Sequence, residues 1–374
     1  MGRHLGNIFH LGVKELRSLW YDKILLLLVV WTFSGGIYTA ATATSQELHN
    51  APIAIADEDR SQLSQRIVGT FYGPYFKTPE SIGLAQIDPG LDAGRYTFVL
   101  DIPPHFERDV LAGRRPALQI NIDATQMSQA FVGAGYIQAM VGGEIGEYVR
   151  KTREEPPAPV TLALHTRFNP NLDTTWFGSV MEIINNITML SIILTGAALI
   201  REREHGTIEH LLVMPLGPAE IMLGKIWSMG LVVLVAATLS LTLMVQGVLQ
   251  VPIAGSLTLF LVGAALHLFS TTAMGILIGT VARSMPQLGL LIILVLLPLE
   301  LLSGGITPRE SMPAMIRTVM QAAPTTHFVS FAQAILYRGA GLAVVWPQFL
   351  ALAALGMLFF AVALYRFRRT MSFG

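Results

Sequence analysis

Long stretches without charge alternate with short charged clusters along this chain. Residues 24–43 carry no charged side chain, and residues 176–200 are interrupted by Glu182 alone. Further apolar stretches cover 221–249, 257–282, 287–302 and 347–364. A helix needs about 20 mostly apolar residues to cross a hydrocarbon core about 30 Å thick. The pattern therefore predicts six transmembrane helices, the fifth being the shortest. Residues 44–175, between the first two, differ in character. Strand-like stretches at 52–56, 96–102, 118–123 and 160–168 are interspersed with helical stretches at 61–72, 103–113 and 128–151. Pro103-Pro104 followed by Gly113 gives the second of these helices a proline start and a glycine stop. The expected fold class is a polytopic α-helical membrane protein. Its six transmembrane helices carry an α/β extracytoplasmic domain inserted between helices 1 and 2.

Ahead of the first span, Leu5, Ile8, Phe9, Gly12, Val13, Leu16, Leu19 and Trp20 recur at three- and four-residue spacing, opposite Lys14 and Arg17. That spacing describes an amphipathic helix lying along a membrane surface. The basic leader, the apolar run and Ala41-Thr42-Ala43 also resemble a cleavable signal peptide. The leader is too long and too regular for that, so an uncleaved anchor is expected. The resulting map has a cytoplasmic interfacial helix at 1–23, the first span at 24–43 and the outer domain at 44–175. Spans two to six occupy 176–366, with a cytoplasmic loop at 201–218 and outer re-entrant or interfacial helices at 303–337. A cytoplasmic tail follows at 367–374.

Composition agrees with a chain solvated by lipid. It is 52% hydrophobic and only 13% charged, against about 25% charged in soluble domains, and its mean hydropathy is +0.54. That balance excludes intrinsic disorder. Equal numbers of basic and acidic residues, 25 of each, argue against a nucleic-acid partner. With no cysteine, disulfides, thiolate metal sites and cysteine nucleophiles are excluded. The distribution of charge is more informative than its sum, because the cytoplasmic side retains Lys and Arg in short loops. With the amino terminus inside, the inner flanks hold Arg3, Lys14, Arg17, Lys23, Arg201, Arg203, Lys225, Arg283, Arg366, Arg368 and Arg369. The short outer segments hold only Arg309, Arg317 and Arg338. Both termini are thus expected in the cytoplasm, with the large domain outside the membrane.

No catalytic, cofactor or metal motif survives inspection. Gly217 to Lys225 ends in Gly-Lys, but it has six residues between its glycines and Ile226 after the lysine. A phosphate-binding loop needs four, then Ser or Thr. His205 to His210 places one residue too many between its first histidine and Glu209 for an inverted zinc-protease motif. The chain is not expected to be an enzyme.

The strongest signal is the run REREHGTIEHLLVMP from Arg201 to Pro215, where five charges follow an apolar helix abruptly. Gly206 permits a change of direction, Thr207 can cap a short helix, and Ile208, Leu211 and Leu212 make one apolar stripe. By spacing alone this is either a solvated loop or a rigid knob that takes force from a partner. The run resembles the signature of type-2 ABC exporter permeases. Ile102 to Gly113, Arg167 to Leu172, Leu302-Ser-Gly-Gly305, Pro308, Met312-Pro313 and Pro324-Thr-Thr-His327 are similar to that family too. One departure is Phe177-Gly-Ser-Val-Met181, where relatives often open the second span on a Val-Pro-Gly turn.

The resemblance implies six spans, a large extracytoplasmic domain, a second permease half (identical or not) and cytoplasmic ABC ATPases that bind ATP and Mg. A periplasmic membrane-fusion adaptor and an outer-membrane channel are further implied partners. It makes Arg201, Glu202, Arg203, Glu204, Gly206, Thr207, Glu209 and Leu212 the coupling element that docks on the ATPase. It also makes the region holding Gly304, Gly305, Pro313, Pro324 and His327 an outer gate, unless these residues only pack at the interface. Within the spans, buried polar groups are costly and usually face protein or water. Glu182, Asn185 and Asn186 share one helical arc, and Glu300 lies near the outer end of the fifth span. Glu182, Asn186 and Glu300 could line a path for a polar or cationic substrate. Interhelical hydrogen bonding is the alternative, and it suits the two asparagines better. His267, Ser270 and Thr271 read as packing. The expected function is the permease subunit of an ABC exporter moving an amphipathic or hydrophobic compound. The alternative is a membrane sensor with an extracytoplasmic ligand-binding domain, and a membrane-embedded hydrolase lacks a nucleophile and base.

Overall fold

The computed structural model describes residues 2–43, 48, 50–123, 127–153, 174–204, 206 and 216–372. The chain divides into two units, one of residues 1–44 with 166–374 and one of residues 45–165. In chain order the first unit opens with α1 (Gly2–Tyr21), α2 (Lys23–Thr32) and α3 (Gly35–Ala43). The second unit holds β1 (Ile53–Asp57), α4 (Gln62–Val68), β2 (Glu80–Ser81), α5 (Ile87–Asp92), β3 (Phe98–Ile102), α6 (Phe106–Leu111), β4 (Gln119–Ile122) and α7 (Met127–Arg153). The first unit resumes with α8 (Thr174–Glu204), α9 (Pro218–Leu239), α10 (Leu257–Val281), α11 (Met285–Leu301), α12 (Ala314–Met320), α13 (Pro324–Leu336) and α14 (Leu342–Ser372).

Among the described residues of this unit, five helical stretches are long and apolar enough to cross a membrane: Lys23–Thr42, Thr175–Glu204, Pro218–Val248, Leu257–Val281 and Leu342–Arg369. The sixth apolar stretch of the sequence forms α11, a helix of 17 residues containing Pro298. At 1.5 Å per residue it is about 26 Å long, the short end of what a bilayer accepts. α8 differs from expectation at its end, since Arg201 to Glu204 form its last helical turn and not a loop. All four are good helix formers, and the two arginines complement the negative end of the helix dipole. The prolines at 308, 313 and 324 do cut the next segment, into a 3₁₀ turn at Arg309–Ser311 and the helices α12 and α13.

The first of the spanning stretches is broken. α2 stops at Thr32, Phe33 and Ser34 form a turn, and α3 begins at Gly35. A side chain at position 35 would meet the ring of exposed Trp31 at 2.6 Å and would have to displace it. Backbone groups freed inside a membrane must find partners from neighbouring helices. Asn186 Nδ2 of α8 donates to the Thr32 carbonyl at 3.1 Å, and Ser240 Oγ donates to the Phe33 carbonyl at 2.6 Å. Ser240 opens the π-helical continuation of α9, Ser240–Val248, so one helix widens where the other breaks. α8 and α10 then join through a polar seam. His267 Nε2 meets Thr188 Oγ1 at 2.8 Å, and Ser191 Oγ donates to Thr271 Oγ1 at 2.6 Å. His267 also stacks on Phe328 of α13 with centroids 3.9 Å apart. Its ring is a packing element, as its neighbours Ser270 and Thr271 suggest.

In the second unit the strand order is β2-β1-β3-β4, with β1 parallel to β2 and β3 and with β4 antiparallel to β3. Ile53, Ile55, Phe98 and Leu100 pack with Leu63 and Ile67 of α4 and Ile137 and Val141 of α7. Ala54, Ala56 and Val99 pack on the other face with Ile87 of α5 and Tyr96. Both faces are covered, which is why Ile53–Ala56 of β1 and Phe98–Leu100 of β3 read as unbroken apolar runs. The expected strand at 160–168 lies outside the described residues.

The loops after β1 and β3 interlock by reciprocal capping. Asp59 Oδ2 accepts from the Glu107 amide at 3.0 Å, and Glu107 Oε2 accepts from the Leu63 amide at 3.1 Å. The Tyr148 hydroxyl donates to Glu107 Oε1 at 2.8 Å. Burial would raise both carboxyls, but it is outweighed. Hydrogen bonds from Ser61 and the backbone of residues 105–107 hold Asp59 below its ordinary value. Those from Leu63, Tyr148, Ser61 and Gln62 do the same for Glu107. A carboxyl depressed in the folded state stabilises it above the unfolded pKa, here about 3.9 and 4.3, and that stability is lost as pH falls through the folded value. Hydrogen exchange at Leu63 and Glu107, corrected for intrinsic pH dependence, is therefore expected to lose protection below about pH 4. Asp59→Ala should remove about 1 kcal/mol of local stability and flatten that response.

Candidate functional site

The last turn of α8 is where the described part of the Arg201–Pro215 run meets the rest of the helical unit. Its four charged residues reach four different places. The Arg201 guanidinium pairs with Asp22, whose Oδ1 also accepts the Leu25 amide at 3.1 Å and so caps α2. Glu202 Oε1 meets Lys14 Nζ of α1 at 2.5 Å, and its Oε2 meets Lys225 Nζ of α9 at 2.7 Å. Arg203 Nη1 donates to the Ala282 carbonyl at the end of α10, at 2.7 Å. Glu204 Oε1 accepts from the Met285 amide at the start of α11, at 3.0 Å.

Lys225 completes the cluster by meeting Glu15 Oε1 of α1 at 2.8 Å. The Lys225 side chain is only 2% exposed, with Glu15 and Glu202 at 7% and 9%. Lys14, at 47%, is the cluster's exposed member. Two lysines and two glutamates thus alternate in a closed, charge-balanced ring, the form in which buried charge is tolerated. Burial pulls the Lys14 ammonium down, but Glu202 and Glu15 beside it hold its pKa above the ordinary lysine value. Gly206 takes φ +67°, the left-handed region that favours glycine. Thr207, Glu209 and Leu212 lie outside the described residues.

The leader helix is held to α9 by shape as well as charge. Gly12 lies against the Trp227 indole, leaving no room for a side chain. Trp227 Nε1 donates to the Ile8 carbonyl at 3.0 Å, and Phe9 stacks on its ring with centroids 5.9 Å apart. Glu220 accepts from His4 at 2.7 Å and from Asn7 at 3.2 Å. One face of α1 therefore packs on protein, while Leu5 and Trp20 remain exposed.

The other sequence-predicted groups lie elsewhere in the same unit. Glu182 is half-buried, hydrogen-bonds Asn186 and lies within electrostatic reach of Glu300. Asn186 also donates to the Thr32 carbonyl of the broken helix. Gly304 takes φ +100°, and Gly305 abuts the Met181 side chain of α8. Pro313 precedes α12, Pro324 opens α13, and His327 Nε2 donates to the Gln321 carbonyl at 2.9 Å, bridging the two helices. Among the described residues no group of three or more metal-ligating side chains converges.

A span-length helical array, with a charged run leaving it through an ion-paired helical turn, matches a known family along nearly its whole length. The family model described as ABC-2 family transporter protein matches residues 23–365. The chain belongs to that family. It is 64% identical over 369 residues to the inner membrane transport permease YhhJ of Escherichia coli (strain K12), covering 99% of each chain. The same values hold for YhhJ of Shigella flexneri. It is 29% identical over 366 residues to the protein named "Probable multidrug ABC transporter permease YbhR" of Escherichia coli (strain K12), covering 95% of this chain and 96% of that one. As an ABC-2 family protein with several membrane-length helices, the chain is a multi-pass membrane permease.

Four members of the ion-paired cluster were not singled out as coupling residues by sequence: Lys14, Glu15, Asp22 and Lys225. One signal was available. Lys225 is a lone charge inside the apolar stretch 221–249, and a charge within a span implies a partner.

Proposed function

We propose that the chain is the permease half of an ABC exporter. With a second half it would form the path for ATP-driven export of an amphipathic or hydrophobic compound. Six helices would cross the inner membrane, α11 among them, with both termini cytoplasmic and the unit of residues 45–165 in the periplasm. ATP and Mg would bind a partner ATPase, since this chain carries no phosphate-binding motif. The names of the relatives, an inner membrane transport permease and a multidrug ABC transporter permease, support the reading. They also leave room for a periplasmic adaptor and an outer-membrane channel as further partners.

One observation carries the mechanism: the residues preceding the coupling loop are tied separately to the α1–α2 elbow, α9, α10 and α11. Closure of the ATPases on ATP would push residues 207–215, and the Arg201–Glu204 turn would pass that push to four elements together. The spans could then rearrange as a body, with Glu182, Asn186 and Glu300 facing the path and the segment from Gly304 to His327 opening outward. For the sensor alternative, the unit of residues 45–165 offers a cavity of about 550 Å³ lined by Asp57, Arg60, Gln65 and Ser81. In such sheets ligands usually bind beyond the carboxyl ends of the strands, where Asp59 and Glu107 here cap each other's helices.

Affinity purification in mild detergent, with mass spectrometry of the co-purifying proteins, tests the proposal. An ABC ATPase is expected in near-stoichiometric amount. Its absence, with signalling proteins in its place, would favour the sensor.

A further inference from the structure

Two neighbouring cavities share the α1–α2 elbow, one lined by charged residues and one apolar. The first is a cleft of about 750 Å³ lined by Lys14, Ser18, Tyr21, Lys23 and Arg201 among others. The second is an apolar groove of about 490 Å³ between α2, α8 and α11, lined by Leu25, Ile193, Leu288, Ile292 and Ile293. Asp22, Ile24 and Arg201 line both, so the polar cleft continues directly into the apolar groove.

Depth and charge point to one occupant. Ile193 lies eleven residues before the end of α8 at Glu204, about 16 Å along the helix. Ile293 lies eight residues into α11, about 12 Å. Those reaches match one leaflet, half of a core about 30 Å thick. Trp20 and Tyr21 are 71% and 83% exposed beside Lys23, the aromatic and basic pairing found at the membrane–water boundary. The carboxylates of the cleft are already engaged: Asp22 by Arg201, and Glu15 and Glu202 by Lys14 and Lys225. The accessible charge is positive, from half-exposed Lys14 and from exposed Lys23, which has no ion pair among the described residues.

We infer that this composite cavity binds an anionic glycerophospholipid of the leaflet on the coupling side, its phosphate at Lys14 and Lys23 and an acyl chain in the α2–α8–α11 groove. A lipid held there touches Asp22 and Arg201, the contact that joins the α1–α2 elbow to the coupling turn. Membrane composition would thereby reach the coupling element.

The test uses the full chain in detergent, titrated with phosphatidylglycerol or with phosphatidylcholine of the same acyl chains, and counts retained lipid by native mass spectrometry. Phosphatidylglycerol is expected to be retained in preference. Lys23→Ser should weaken that retention about fivefold, from the usual contribution of one lysine near an anionic lipid. Gly289→Leu, at a groove position where an added side chain meets open space, should block it while the protein stays folded by circular dichroism. Lys77→Ser, in the other unit, should change nothing. Equal retention of the two lipids, or of phosphatidylglycerol by all variants, would overturn the inference. So would a lipid-free dimer that Gly289→Leu disperses, since the groove would then be filled by a second copy.

Discussion

Lys225→Met is expected to destabilise the helical unit by about 3–5 kcal/mol, the usual effect of breaking a buried ion pair from one side. The lysine is 2% exposed and lies within 2.8 Å of Glu15 and 2.7 Å of Glu202. Its removal leaves two buried carboxylates to share one half-exposed lysine, Lys14. The loss should show in equilibrium unfolding by SDS in mixed micelles, and as earlier proteolytic release of α1. Charge balance, not volume, is the expected cause. Lys225→Met combined with Glu15→Gln keeps one carboxylate for Lys14 and should recover most of the stability, because a balanced replacement of buried charge is close to neutral. A single variant as stable as the parent, or a double variant worse than the single, would show that the cluster does not hold α1 and α9 to the coupling turn.

The second large effect concerns transport and leaves the fold intact. Glu209→Ala is expected to lower export about 5- to 150-fold, the range of a typical coupling free energy of 1–3 kcal/mol, with normal insertion and expression. Gly206→Val should act in the same direction for a different reason. Its φ of +67° costs a side-chain-bearing residue about 1–2 kcal/mol, so the loop would leave α8 at another angle. Both are read as ATP-driven uptake into inverted vesicles at matched protein level. Wild-type export by a well-expressed Glu209→Ala protein would remove that residue from the coupling role.

Much of the helical unit was legible because its signal is redundant. A span such as 257–282 carries no Asp, Glu, Lys or Arg, and boundary errors of a few residues leave it recognisable. Where a boundary depended on tertiary partners, the pattern misled. Arg201 to Glu204 look like the start of a loop, since four charges rarely continue an apolar helix. They stay helical because Asp22, Lys14, Lys225 and the backbone at Ala282 and Met285 receive them. The leader's periodicity gave its helix but not its partner, because an apolar stripe is equally compatible with lipid and with a facing helix. Gly12 and Gly224 were the available hint, each leaving space for close approach to the other element. β2, two residues long, carries too little pattern to be read. The break between α2 and α3 was hidden because Phe33, Ser34 and Gly35 are as uncharged as their surroundings, and its repair by Asn186 and Ser240 is purely tertiary.

The central claim is that the run leaving α8 contacts an ATPase, and the absence of any cysteine in this chain makes it directly accessible to measurement. Glu209→Cys and Lys77→Cys are each the protein's single thiol, one in the coupling run and one exposed in the unit of residues 45–165. Membranes carrying either variant are treated with a short thiol-to-amine crosslinker, and the adducts are identified by mass spectrometry. The expected result is an ABC ATPase attached at position 209, in a yield that changes with ATP, and none at position 77. No ATPase adduct at position 209, or an ATPase captured from position 77 instead, would contradict the account.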